Sequence, residues 1–288
     1  MFAVGDMNIR SLTILTALIV STACSGCGTS APKTRDQGVT PEPSASVANP
    51  SSSDAQTVKI ESPDKALLIG TFLAADEPNS PALLLLHQWQ SDRHSYDEFA
   101  KRMQAKGFNV LSIDGRGFGE STKTDDGKAI TPERTDAAVK AMLGDVDAAF
   151  SFLAKQKNVD PAKIGIVGAS YGSSLALIYA ADHPKVAAVA LLSPGLNYFG
   201  NMPTEPAVKK YGDRPLFLVA AEDDKESADC VRQLADVDKH ARMMVYPSGG
   251  HGTALFDVPA SNGHPVLFTA LYDFFDQILI GGSTTYNK

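Results

Sequence analysis

Three polar residues stand just past the ends of apolar runs, in an order that suits nucleophilic catalysis. The run Ile164-Gly165-Ile166-Val167 leads into Gly168-Ala169-Ser170-Tyr171-Gly172. A G-x-S-x-G spacing between a strand and a helix sets the serine on a strained turn with its hydroxyl above the sheet. Small residues two before and two after it are needed because strand and helix approach closely there. The helix N-terminus beyond Ser170 adds backbone N–H groups and a positive dipole end that could receive a developing oxyanion. The plainer alternative is a serine that only caps a helix.

Two further strand ends carry the partners such a serine needs. Ala221-Glu222-Asp223-Asp224 follows the run Leu216 to Ala220, and Pro247-Ser248-Gly249-Gly250-His251-Gly252 follows Met243 to Tyr246. His251 would take the serine's proton and later return it. A carboxylate, Asp223 or Asp224, would fix the imidazole tautomer and stabilise the imidazolium. His94, His183, His240 and His264 fall at helix ends, and none is flanked by glycines after a strand.

The elements that must position these residues alternate. Apolar runs read as strands at Val58 to Glu61, Leu67 to Ala74, Ala82 to Leu86, Asn109 to Ile113, Ile164 to Val167, Val186 to Leu192, Leu216 to Ala220 and Met243 to Tyr246. Helical spacing marks Tyr96 to Lys106, Asp136 to Lys155, Ser173 to Ala181, Ala228 to Lys239 and Pro265 to Leu279. This alternation predicts an α/β fold, a mostly parallel sheet with helices on both faces. In such a sheet the chemistry lies beyond the carboxyl ends of the strands.

With the order Ser…Asp…His on the page, about 230 residues from Val58 onward resemble an α/β-hydrolase domain. Leu83-Leu84-Leu85-Leu86-His87-Gln88-Trp89 and Ile113-Asp114-Gly115-Arg116-Gly117-Phe118-Gly119-Glu120-Ser121 are similar to characteristic stretches of that family. The resemblance implies Ser170 as nucleophile, His251 as base and Asp224 as acid. It also implies an oxyanion hole from the N–H groups of Tyr171 and Trp89, with Gln88 a further contributor through backbone or side chain. Family members often carry Gly where Gln88 stands. A larger polar residue there resembles dienelactone hydrolases, whose nucleophile is Cys rather than Ser. His87 reads as a support for this loop.

The implied reaction is hydrolysis of a small ester, thioester or lactone through an acyl-enzyme, without cofactor or metal. Only Ser193 to Pro215 separates two central strands, so a large cap domain does not fit. Tyr198, Phe199 and Met202 in that gap are acyl-pocket candidates, and Pro206 to Tyr211 reads as a short helix. A serine peptidase of the prolyl-oligopeptidase type and an inactive binding protein on the same fold are the alternatives. The glycines at 115, 117 and 119 lack the G-x-G-x-x-G spacing of a dinucleotide loop, and Asp114 and Arg116 read as braces for that turn. No H-E-x-x-H zinc motif occurs. Cys230 reads as a small packing residue on a helix.

The whole chain has 288 residues, 43% of them apolar, and a formal net charge of −7. That composition is globular, and its acidity argues against a nucleic-acid partner. Three cysteines exclude a disulfide scaffold. The front end differs. Arg10 precedes the apolar run Leu12 to Val20, which is too short to span a bilayer and fits an export signal. Ser21 and Ala23 suit cleavage before Cys24, which resembles a bacterial lipoprotein signal with Cys24 as the lipid site and Cys27 as a second candidate. Residues rich in Ser and Pro follow and read as a tether of roughly 30 Å root-mean-square span. The expected division is signal 1–23, tether 24–57 and hydrolase domain 58–288, on an exported protein held at the membrane of the cell envelope through its lipid.

Overall fold

The structure is a computed structural model that describes residues 55–260 and 263–281. The signal segment, Cys24, Cys27 and nearly all of the tether lie outside the described residues. The domain begins slightly earlier than the apolar pattern predicts. Strand β1 spans Gln56–Glu61, and Gln56 and Thr57 already pair with Phe72 and Thr71 of β2, Ala66–Leu73. The pattern misses them because β1 is an edge strand whose residues are mostly exposed.

β3 (Ser80–Leu86), helix α1 (Asp97–Gln104), β4 (Asn109–Ile113) and the two-residue β5 (Lys123–Thr124) follow. Next come α2 (Asp136–Ala154), β6 (Val159–Ala169), α3 (Tyr171–Asp182) and β7 (Ala188–Leu192). The gap before the next central strand holds a small hairpin, β8 (Asn197–Tyr198) and β9 (Met202–Pro203), and α4 (Thr204–Tyr211). β10 (Leu216–Ala221), α5 (Lys225–Val237), β11 (Arg242–Tyr246) and α6 (Leu267–Phe275) complete the domain.

The main sheet runs in the order β1-β2-β4-β3-β6-β7-β10-β11, with β5 paired to β2. β2 is antiparallel to β1, β4 and β5, while the strands β4-β3-β6-β7-β10-β11 pair in parallel. Parallel strands need crossovers, and the helices supply them.

The unbroken Leu83-Leu84-Leu85-Leu86 run has a direct cause. Alternate side chains enter two separate cores, one on each face of the sheet. Leu84 and Leu86 pack with residues of α2 to α5, such as Val146, Leu175, Val208 and Val231. Leu83 and Leu85 pack with α1 and α6, through Phe99, Met103, Leu271 and Phe275. A strand buried on both faces has no polar side to show. Gly165 of β6 is required at one such contact, since a Cβ there would lie 2.5 Å from the Phe275 ring.

Candidate active site

Ser170 joins β6 to α3 with φ 52° and ψ −124°. A positive φ at a residue with a Cβ costs about 1–3 kcal/mol and persists only where its surroundings enforce it. Here Ser170 N–H donates to Leu192 O of the neighbouring strand at 2.8 Å, and Ser173 N–H donates to Ser170 O at 2.8 Å. The flanking glycines are steric necessities. A Cβ on Gly168 would lie 2.2 Å from Gly172 O, and one on Gly172 would lie 2.6 Å from both Leu86 O and His87 O. The Ser170 side chain makes no capping bond to α3, so the plain cap alternative fails. Tyr171 opens the helix, and an N–H in the first turn has no intrahelical acceptor.

The two neighbouring acids divide their work. His251 Nδ1 lies 2.7 Å from Asp224 Oδ2. A carboxylate only accepts, so this contact puts the proton on Nδ1 and leaves a lone pair on Nε2. Asp223 instead accepts from Gly249 N–H at 3.0 and 3.1 Å and from Gly250 N–H at 3.1 Å, and these bonds hold its carboxyl below the usual value. It fastens the turn that carries His251. The site faces solvent, because the His251 side chain is 44% exposed.

Two more clamps hold the histidine loop, and neither had a local signal in the sequence. Gly252 N–H donates to Ser193 Oγ at 2.9 Å, from a buried Ser193 that itself has φ 48°. Gln88 Oε1 accepts from both N–H and Oγ1 of Thr253 at 2.9 Å. That commits the Gln88 side-chain carbonyl to the histidine loop. A Cβ on Gly252, whose φ is +63°, would lie 2.6 Å from that oxygen.

His87 anchors the base of the same β3 loop. It is buried, its Nδ1 meets Gln88 O at 2.7 Å, and its Nε2 accepts from Gly115 N–H at 2.8 Å. Burial holds its pKa below the ordinary histidine value, and neutrality is what a ring that both donates and accepts requires. Asp114 accepts from the N–H groups of Arg93 and Glu120, both at 2.8 Å, and from the Arg93 guanidinium. Arg116 meets Asp145 at 2.6 Å and Asp64 at 2.7 Å.

An aromatic wall forms around the ring of Tyr171, the residue after the serine. Trp89 lies edge-on to Phe118, Tyr171 and Phe199, with ring centroids 4.8, 5.3 and 4.8 Å apart. The half-buried Tyr198 donates its hydroxyl to Ser193 O at 3.0 Å. Its pKa is raised by burial, with Ser170 and Ser227 close enough to act against that rise. Tyr198 and Phe199 therefore border the site as expected. Met202 does not: it is fully buried in the core beneath the hairpin.

The other histidines stay apart from this cluster. His94 pairs with Asp97, His183 stacks on Tyr179 at 3.8 Å, and His240 lies 3.8 Å from Asp238. The Cys230 thiol is buried in α5 and pushed up to about 12 by desolvation. Among the described residues no group of three or more His, Cys, Asp or Glu side chains is arranged to hold a metal ion. Nor is any helix among them long and apolar enough to cross a membrane.

Sheet order, elbow and loop placement together define the α/β-hydrolase fold. Comparison with known proteins agrees. The family model described as serine aminopeptidase, S33, matches residues 77–214. An uncharacterized protein of Mycobacterium tuberculosis is 32% identical over 155 residues, which is 54% of this chain and 50% of that protein. The chain thus spans about half the length of the curated relatives it matches. Among solved structures, an esterase of Pyrococcus furiosus superposes with TM-score 0.61 at 17% identity, over 79% of this chain and 92% of that one. A dienelactone hydrolase of Anabaena variabilis gives 0.57 at 17%, over 79% and 97%. An acylaminoacyl peptidase of Pyrococcus horikoshii gives 0.64 at 14%, over 81% of this chain and 43% of that one. At such identities these likenesses speak for the fold.

Proposed function

We propose that the protein is a serine hydrolase cleaving small carboxylic esters, thioesters or lactones through an acyl-enzyme. The observation that carries this reading is the contact of His251 Nδ1 with Asp224 Oδ2, on a loop clamped beside a serine held at positive φ. In this reading Ser170 Oγ attacks the substrate carbonyl while its proton passes to His251 Nε2. The carbonyl oxygen becomes an oxyanion facing the N–H groups of Tyr171 and Trp89. The imidazolium, stabilised by Asp224, then gives its proton to the leaving oxygen or sulfur. Water attacks the acyl-serine by the same route, releasing the acid and restoring Ser170. We also propose export and membrane anchoring through lipid on Cys24.

A panel of p-nitrophenyl acetate, butyrate and decanoate, run beside peptide p-nitroanilides, tests the reaction class. The short esters are expected to be turned over fastest. Ser170→Ala is expected to lower kcat by at least about 10³-fold with little change in substrate binding. Full activity in that variant would defeat the assignment. The matched family's description and the acylaminoacyl peptidase likeness favour peptide cleavage as the second reading. Anilide turnover exceeding ester turnover would select it.

A further inference from the structure

The geometry points to Arg134 as a specificity-determining residue that selects substrates carrying a carboxylate. The inference rests on the ester-hydrolase reading and names the substrate class for that site. Arg134 directly precedes the Thr135 cap of α2, and its guanidinium carbon lies 4.8 Å from the Trp89 ring centroid and 4.9 Å from that of Phe199. Those two rings are the wall that continues from Tyr171, whose backbone follows the nucleophile. The cation therefore lies on the ring of Trp89, whose backbone N–H is the expected second oxyanion donor.

Its position is fixed from the backbone. Asn201 Nδ2 of the hairpin turn donates to Arg134 O at 3.0 Å and to Asp136 Oδ1 at 2.9 Å, tying the hairpin to the start of α2. Glu133 and Asp136 are its sequence neighbours, yet among the described residues no carboxylate pairs with Arg134 within 4.0 Å. A guanidinium lying against ring faces keeps its in-plane N–H groups, which match a carboxylate bidentately. The surroundings sharpen the point. The site carries Asp223 and Asp224, and the chain has net charge −7, so an anionic substrate approaches against the general field. A local cation on the wall reverses that for a carboxylate placed a few bonds from the reacting carbonyl.

The test uses two matched pairs, one for each side of the scissile bond. The acyl-side pair is mono-p-nitrophenyl adipate and its methyl ester. The leaving-group pair is 4-acetoxybenzoate and methyl 4-acetoxybenzoate. The wild type is expected to favour the carboxylate member of at least one pair by about 10-fold or more in kcat/KM. Arg134→Gln should bring that ratio to about one, Arg134→Lys should keep part of it, and 0.5 M salt should shrink it. Arg134→Met keeps the apolar cover over Trp89 without the charge, so it too should lose the preference. Retention of the ratio in Arg134→Met or Arg134→Gln would overturn the inference. So would hydrolysis of the neutral esters with no charge preference in either pair, which leaves the ester-hydrolase reading standing. Failure of the wild type to hydrolyse any of the four would remove that reading and the inference with it.

Discussion

At Ser170 and at Ser193 the backbone takes a positive φ with a side chain attached, yet only one of the two could be read in advance. Ser170 is marked by glycines that close approach makes unavoidable. Ser193 has no such frame, and its role depends on Gly252, which is 59 residues away. Asp224 was separable from Asp223 only through family resemblance, because both face the same loop and differ in which atom of that loop they reach. His87 was readable as a support, and its state is testable. Burial lowers its pKa, so in NMR titration its ring should protonate below about 6.5, the value of an unperturbed histidine. The sign follows from linkage. Above the unfolded value both states are neutral, and as pH falls through it the unfolded chain gains a proton that the folded site resists, so stability declines. His87→Asn should flatten that decline in thermal melts between pH 7 and 5. A His87 that titrates above 6.5 would contradict the hydrogen-bond assignment.

At the scale of elements, the double burial of β3 and the amphipathic spacing of α2 made the central layers legible. Edge strand β1, the two-residue strands of the hairpin and the ends of β6 carried too little pattern. The loops hid most. Gln88 stands where a glycine was expected, and its side chain bridges the β3 loop to Thr253 on the histidine loop. If that clamp positions His251, then Gln88→Ala should lower kcat about 10-fold or more with KM nearly constant, since misplacement by about 1 Å is costly in a preorganised site. Gln88→Glu, which retains an acceptor for Thr253, should recover part of the loss. Equal changes in KM and kcat for both variants would argue for a general loosening instead.

The described domain carries two cores, one on each face of its main sheet, and is braced by buried ion pairs. Arg116 bridges Asp145 and Asp64, tying α2 to the β1–β2 turn below the loop that follows β4. Burial raises the Asp145 carboxyl in spite of its pairing with Arg116, a sign of how dry that position is. Removing Asp145 leaves the buried Arg116 guanidinium with only the half-exposed Asp64, so Asp145→Ala should cost about 3 kcal/mol in urea unfolding, the low end for a broken buried pair. A loss under 1 kcal/mol would place the pair in solvent. The net charge of −7 has no counterpart in this inner bracing, and it leaves Arg134 as a cation stacked on the aromatic wall. Composition argues against a nucleic-acid partner but does not locate that charge, because its neighbours come from separate loops.

The central claim is that Ser170 is an activated nucleophile. Its most direct test is covalent labelling of the purified protein with a fluorophosphonate probe, read by mass spectrometry of the modified peptide. The account predicts stoichiometric labelling on Ser170, absent in Ser170→Ala and strongly slowed in His251→Ala and Asp224→Ala. Folded wild-type protein that takes up no label, or takes it up on another residue, would contradict it.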